Sequence, residues 1–174
     1  EPDADPAPAA THIVAGDFVA GVTNATIDHG AALGDDFSGA AGSYILAVPT
    51  SDGTDGADYF NGIWFLDPAG GPGASLTLPT LPAGWAYEGW VVVGGTPIST
   101  GTFTDVAAAD SDMGGPAAGA NPAPPFPGQD FVNPLTDLRG GAAVISIEPV
   151  PDNSPAPFTL KPLVDGTIDD TGMP

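Results

Sequence analysis

The stretch Trp85-Ala86-Tyr87-Glu88-Gly89-Trp90-Val91-Val92-Val93-Gly94-Gly95-Thr96-Pro97 decides the fold class of this chain. Aromatic and β-branched side chains dominate it, and such residues suit a pleated, partly buried strand. With a side-chain period of two, Trp85, Tyr87 and Gly89 fall on one face, while Glu88, Trp90 and Val92 fall on the other. Gly94-Gly95 follows directly, and a Gly pair tolerates the positive φ angles of a tight hairpin turn. The reading is a central strand over 85–93, anchored in the core by an aromatic, that turns back into a second strand over Pro97–Phe103.

Outward from this hairpin, short apolar or alternating runs sit between Gly, Pro and Asp punctuation. They predict further strands over His12–Phe18, Val22–Asp28, Ser43–Val48, Gly62–Asp67, Ala74–Leu78, Ala142–Glu148 and Pro157–Ile168. A long helix has almost nowhere to form. The chain carries 25 Gly and 21 Pro, and the longest stretch free of both runs only from Thr102 to Met113. The acids agree, with 19 Asp against 3 Glu, because Asp favours turns and is poor inside helices. The expectation is one all-β domain over 1–174, an antiparallel two-sheet sandwich of Ig-like or Greek-key type with long Pro/Gly-rich loops. A hydrophobic content of 42% separates it from wholesale disorder.

Three segments stand outside this frame: a Pro-rich N-terminal arm over 1–11, a long loop over 107–134 and a C-terminal tail over 169–174. The loop is an Ala/Gly/Pro run with no strand periodicity. Structureless loops of that length inside a domain are usually functional or disordered, so this one either folds back on the sandwich or is held by a neighbour. Pro-rich extended chain loses little entropy on docking and can add to a sheet edge. Pro124, Pro125, Phe126 and Pro127 are therefore candidate partner contacts. Trp85, beside Pro82-Ala83-Gly84 at a strand start, joins them as the aromatic expected at the surface. A Glu-Pro…Pro-Ala-Pro frame occurs at 1–8 and again at 148–157, which suits either a module found in tandem or two similar low-complexity linkers.

Net charge is −20, and Arg139 and Lys161 are the only permanent cations. A phosphate backbone and an anionic membrane surface would both be repelled. Nucleic acid and direct membrane insertion are thus excluded as partners, and no apolar run approaches the roughly 18–20 residues of a membrane span. Such a charge serves solubility, in a salty medium for example, or forms an acidic face for a basic partner. The absence of Cys removes disulfides, zinc knuckles and thiolate copper sites. The opening Glu1-Pro2-Asp3-Ala4-Asp5-Pro6 reads as the acidic tail left by signal-peptide removal, which predicts a periplasmic or extracellular location.

Reactive constellations are scarce. His12 and His29 are the only histidines, and no Gly-x-Ser-x-Gly elbow accompanies them. No Gly-rich phosphate loop opens a helix. Asp52-Gly53-Thr54-Asp55-Gly56-Ala57-Asp58 is the metal candidate, since Asp52, Asp55 and Asp58 could converge hard oxygens on Ca²⁺, though without EF-hand spacing. A plain solvated hairpin tip explains the same residues. Paired carboxylates for hydrolysis would need a cleft and an acid of raised pKa. Trp64, Trp85, Trp90, Tyr44, Tyr59 and Tyr87 could form a platform for sugar, or simply the core.

At Gly62-Ile63-Trp64-Phe65-Leu66-Asp67, the Leu76–Pro82 run and Tyr87–Trp90, the chain resembles the extracytoplasmic C-terminal domain of anti-sigma-K-type factors. Gly95-Thr96-Pro97, Gly101-Thr102-Phe103 and Ile145-Ser146-Ile147-Glu148-Pro149 extend the likeness over roughly 43–160. The sigma-binding helices and membrane span of that family have no counterpart in this sequence, so sigma inhibition does not carry over. The resemblance implies an exported β-sandwich used for sensing or scaffolding, and no catalytic residues. The sequence therefore points to a non-enzymatic, extracytoplasmic structural or protein-binding subunit without a cofactor. It would dock on other protein subunits of a larger assembly, such as one on the outer side of a membrane. A carbohydrate- or calcium-binding module is the alternative.

Overall fold

A computed structural model describes residues 11–152 and 154–169. The strands in chain order are β1 Ala41–Gly42, β2 Ile45–Leu46, β3 Gly62–Trp64, β4 Leu66–Asp67, β5 Gly73–Ala74 and β6 Leu76–Thr77. They continue as β7 Trp85–Val93, β8 Thr96–Phe103, β9 Gly128–Asp130, β10 Ala142–Pro149 and β11 Leu163–Asp165. Among the described residues there is no α-helix, only a 3₁₀ turn at Tyr59–Asn61 whose first turn is capped by Asp58.

β7 is the spine. It ends at Gly94-Gly95, whose φ angles of 58° and 82° form the tight turn that only residues tolerant of positive φ close without strain. β8 runs back beside it, with a register shift between Glu88 and Trp90. On the other side β10 pairs with β7 along its whole length, from Ala142 opposite Val92 to Pro149 opposite Trp85. The resulting sheet has the order β11-β10-β7-β8, antiparallel throughout.

The second layer is built from shorter ladders: β2-β3-β9, β1-β6 and β4-β5. The chain stretches 41–46, 62–67 and 73–77 each change partner midway. The two layers share one core. Leu46, Ile63, Phe65 and Leu76 from the second layer meet Trp85, Tyr87, Val91, Phe103, Ile145 and Ile147 from the first. Tyr87 and Phe103, cross-strand neighbours in β7 and β8, stack at 5.7 Å between ring centroids. This is an all-β, sandwich-like arrangement of antiparallel sheets.

Several strand expectations need correction. His12–Phe18 and Val22–Asp28 form a hairpin arm closed only by isolated bridges, Ala15 to Thr26 and Val19 to Val22. Pro157–Ile168 contributes only the three residues of β11. β9 lies inside the predicted structureless loop, where it pairs with β3. The expectations for residues 1–10 and 170–174, including most of the N-terminal arm, the C-terminal tail and the first copy of the Glu-Pro frame, lie outside the described residues.

Candidate functional site

The long loop folds back on its own sheet. Ile63 and Phe65 of the 62–66 segment face the main core, so alternation aims Trp64 and Leu66 outward. Phe126 packs against both, with Ala123 at the margin, and closes a second small core. Phe126 and Pro127 are buried, Pro124 is half-buried and only Pro125 is exposed.

Polar side chains pin the loop down. Asp130, fully buried, accepts from Trp64 Nε1 at 2.7 Å, Thr50 N at 2.8 Å and Thr50 Oγ1 at 2.5 Å. The Thr50 hydroxyl accepts in turn from Gly119 N at 2.8 Å. Asp110 accepts from Gly128 N at 2.8 Å and Met113 N at 3.0 Å.

The aromatics are core, not platform. Trp64, Trp85, Tyr87 and Trp90 are buried. Trp85, expected at the surface, lies under Phe158, whose ring centroid is 6.4 Å away. The segment after β10 supplies this cover, a long-range contact that local punctuation at 82–84 could not announce. Tyr44 and Tyr59 are half-buried, and the Tyr44 hydroxyl donates to Asp165 at 2.5 Å.

Asp52, Asp55 and Asp58 do not converge. Asp52 accepts from the amide and hydroxyl of Thr54, Asp55 from Ser51 Oγ and Ala57 N, and Asp58 from Tyr59 N. Each folds the turn that follows it, the ordinary local role of Asp in a Gly-rich loop. Among the described residues the group that brings three potential ligand atoms together is Glu88, Glu148 and Asp152.

That group sits on the face of the four-stranded sheet opposite the core. Glu88 is directly across from Ser146, and Trp90 Nε1 donates to Ser146 Oγ at 2.8 Å. The Ser146 hydroxyl donates to Glu148 Oε1, and the Ser99 hydroxyl to Glu88 Oε1. Burial pushes the Glu88 carboxyl up to about 7; the Ser99 hydrogen bond opposes this, and the charges of Glu148 and Asp152 reinforce it. Nearby, burial also raises Asp110 and Asp112, and Asp110 adds its charge to the effect on Asp112.

Sequence reasoning placed Glu88 on this face but had no register to set Glu148 beside it. A small cleft of about 130 Å³ opens by Tyr44, Phe65, Leu76 and Leu163, and another of about 330 Å³ by Phe103, Asp105 and Asp110. Neither has Glu88 or Glu148 in its wall.

The hairpin arm presents the opposite chemistry. Ala20 and Gly21 form its turn, with φ angles of 52° and 80°, and Val19 and Val22 exchange both backbone hydrogen bonds at 2.8 and 3.1 Å. Gly16 lets the two limbs approach, since a Cβ there would lie 2.5 Å from the Asn24 carbonyl oxygen. At the tip Phe18 is 78% exposed, Val19 73% and Val22 67%. His29 and His12 tie the base, His29 lying 3.5 Å from Asp17 and His12 Nδ1 3.1 Å from the Ala31 carbonyl. The sequence reads these apolar residues as strand; among the described residues no third strand pairs with them.

No family model, curated protein or solved structure matches the chain. The anti-sigma-K-type resemblance rests on the quoted motifs alone. Among the described residues no helix is long and apolar enough to cross a membrane.

Proposed function

We propose that this chain is a non-enzymatic, extracytoplasmic protein-binding subunit that docks on a larger assembly through the tip of its N-terminal hairpin. One observation carries the reading: Phe18, Val19 and Val22 stand mostly exposed together on a preformed turn, in a chain otherwise crowded with carboxylates. Scattered exposed apolar residues are ordinary, but a contiguous apolar tip points to an interaction site. The rest of the surface selects the occupant. With a net charge of −20, the complement is a protein groove that is apolar inside and rimmed by Lys and Arg. The docking element moves from the Pro-rich loop to the hairpin, because Phe126 is engaged with Trp64 and Leu66.

An Ig-like Greek-key topology belongs to the same reading. It is supported by β10 returning to lie beside β7 after the chain has crossed to β9 in the other layer. The extracytoplasmic location is supported by the anti-sigma-K-type resemblance. The test compares the full chain with a Phe18→Ser, Val19→Ser, Val22→Ser variant, each used to isolate binding partners from the native source. The reading expects a stoichiometric basic partner bound by the parent chain and lost by the variant, with association slowing as salt rises. An identical set of partners for both proteins would overturn it.

A further inference from the structure

Glu88 of β7, Glu148 of β10 and Asp152 just beyond β10 each bring a carboxylate oxygen within 4.8 Å of the others. Two oxygens bound to one calcium ion at about 2.4 Å can be no farther apart than about 4.8 Å, so the three meet the geometric condition for a shared hard cation. Proximity of acids alone would not distinguish a site from a crowded surface. The bonding of the two glutamates does.

Glu88 Oε1 accepts from the Ser99 hydroxyl. Glu148 Oε1 accepts from the Ser146 hydroxyl and, at 2.8 Å, from Phe158 N. Each side chain is thus fixed through one oxygen, while its Oε2 is buried without a hydrogen-bond partner. Glu88 is only 6% exposed and Glu148 only 1%. A buried carboxylate oxygen with no donor is among the costlier features of an interior, and here two belong to one three-acid group. The chain's own cations are engaged elsewhere: the Lys161 ammonium donates to the Phe158 carbonyl at 2.5 Å, and the Arg139 guanidinium is held by Asp137 at 2.7 Å.

We propose that Glu88, Glu148 and Asp152 form a calcium-binding site that ties β7 and β10 to the segment following β10. The donors are all carboxylate oxygens, the set that hard cations such as calcium take, without the imidazole or thiolate that zinc and copper favour. Asp152 is half-buried and marks the side from which ion and water enter. Its Oδ1 accepts from Ser154 N at 2.9 Å, which fixes the turn that carries it. The site is independent of the hairpin and stands whether or not the docking reading holds.

The experiment uses the full chain at pH 7.5 in 150 mM KCl, a salt level that screens loose association with exposed acids. Calcium is titrated by calorimetry, and terbium emission is excited through tryptophan, since Trp90 is bonded to Ser146 beside the site. The expected result is saturable binding of one ion, sensitised terbium emission displaced by calcium, and a raised melting temperature. Asp152→Asn should weaken binding at least tenfold, and Glu148→Gln at least as much. A triple Asp52→Asn, Asp55→Asn, Asp58→Asn variant should bind like the parent. If Glu148→Gln does not fold, Asp152→Asn decides, because it alters a half-exposed turn residue. Absence of a saturable response, or unchanged affinity in Asp152→Asn, overturns the proposal.

Discussion

Trp64 Nε1 donates to Asp130 Oδ1 at 2.7 Å, so the indole that heads the second core is fastened to the strand delivered by the long loop. Asp130 also takes both donors of Thr50. Removing the carboxylate leaves three buried donors without an acceptor, each costing roughly 1–3 kcal/mol. Asp130→Ala should lose about 3–5 kcal/mol of stability in urea unfolding. Trp64→Phe should lose less through this bond, since two of the donors keep their partner. A loss below about 1 kcal/mol for Asp130→Ala would show that the bonds do not hold the loop.

Thr50→Val tests the loop without disturbing the core. Its volume is kept, but Gly119 N loses its acceptor and Asp130 one donor. A net hydrogen bond is worth about 1 kcal/mol, so amide exchange at Gly119 and at Asn121, which donates to Thr50 O at 2.8 Å, should speed up roughly fivefold or more. Unchanged protection at both amides would mean that packing of Phe126 alone seats the loop.

Glu88 makes stability depend on pH. Its carboxyl is pushed up to about 7 from an ordinary 4.5, chiefly by burial. The folded protein therefore keeps a proton that the unfolded chain has released, and the associated stability is full below about pH 4.5 and lost as pH rises through about 7. In a calcium-free buffer Glu88→Gln should gain on the order of 2 kcal/mol at pH 8 and much less at pH 4.5, flattening part of the slope. Asp110 and Asp112, raised by burial as well, keep the remainder. Parallel stability curves for parent and variant from pH 4.5 to 8 would contradict this.

Phe18→Ser should be nearly silent in the isolated protein. The ring is mostly exposed, and exposed substitutions usually shift stability by no more than about 0.5 kcal/mol. Thermal unfolding checks this against the partner-binding loss expected of the tip. A destabilisation above about 2 kcal/mol would mean the hairpin is packed in a way its exposure does not reveal.

The sequence disclosed those parts of the fold where local chemistry and long-range packing agree. Trp85–Val93 is a strand with the bounds its alternation suggests, and Gly94-Gly95 makes the turn. Gly128-Gln129-Asp130 escaped notice because it has no apolar residue; its place in the sheet depends on a buried carboxylate and on β3. The Asp52–Asp58 loop looked like a metal site because the residues that fold tight turns are the same ones that bind calcium. The Glu88 and Glu148 pair was hidden for a different reason. Both lie in strands whose mutual register only pairing can fix, and Asp152 lies beyond the strand end.

The cross-strand placement of Glu88 opposite Ser146 also bears on how the sheet finds its alignment. A slip of two residues between β7 and β10 would keep every apolar side chain on its proper side, so hydrophobicity alone would tolerate the error. It would, however, set Glu88 against Val144 or against another acid, Glu148. The polar pair thus acts as an address mark in an otherwise greasy ribbon, rejecting both misthreadings, which oil and water cannot tell from the true one.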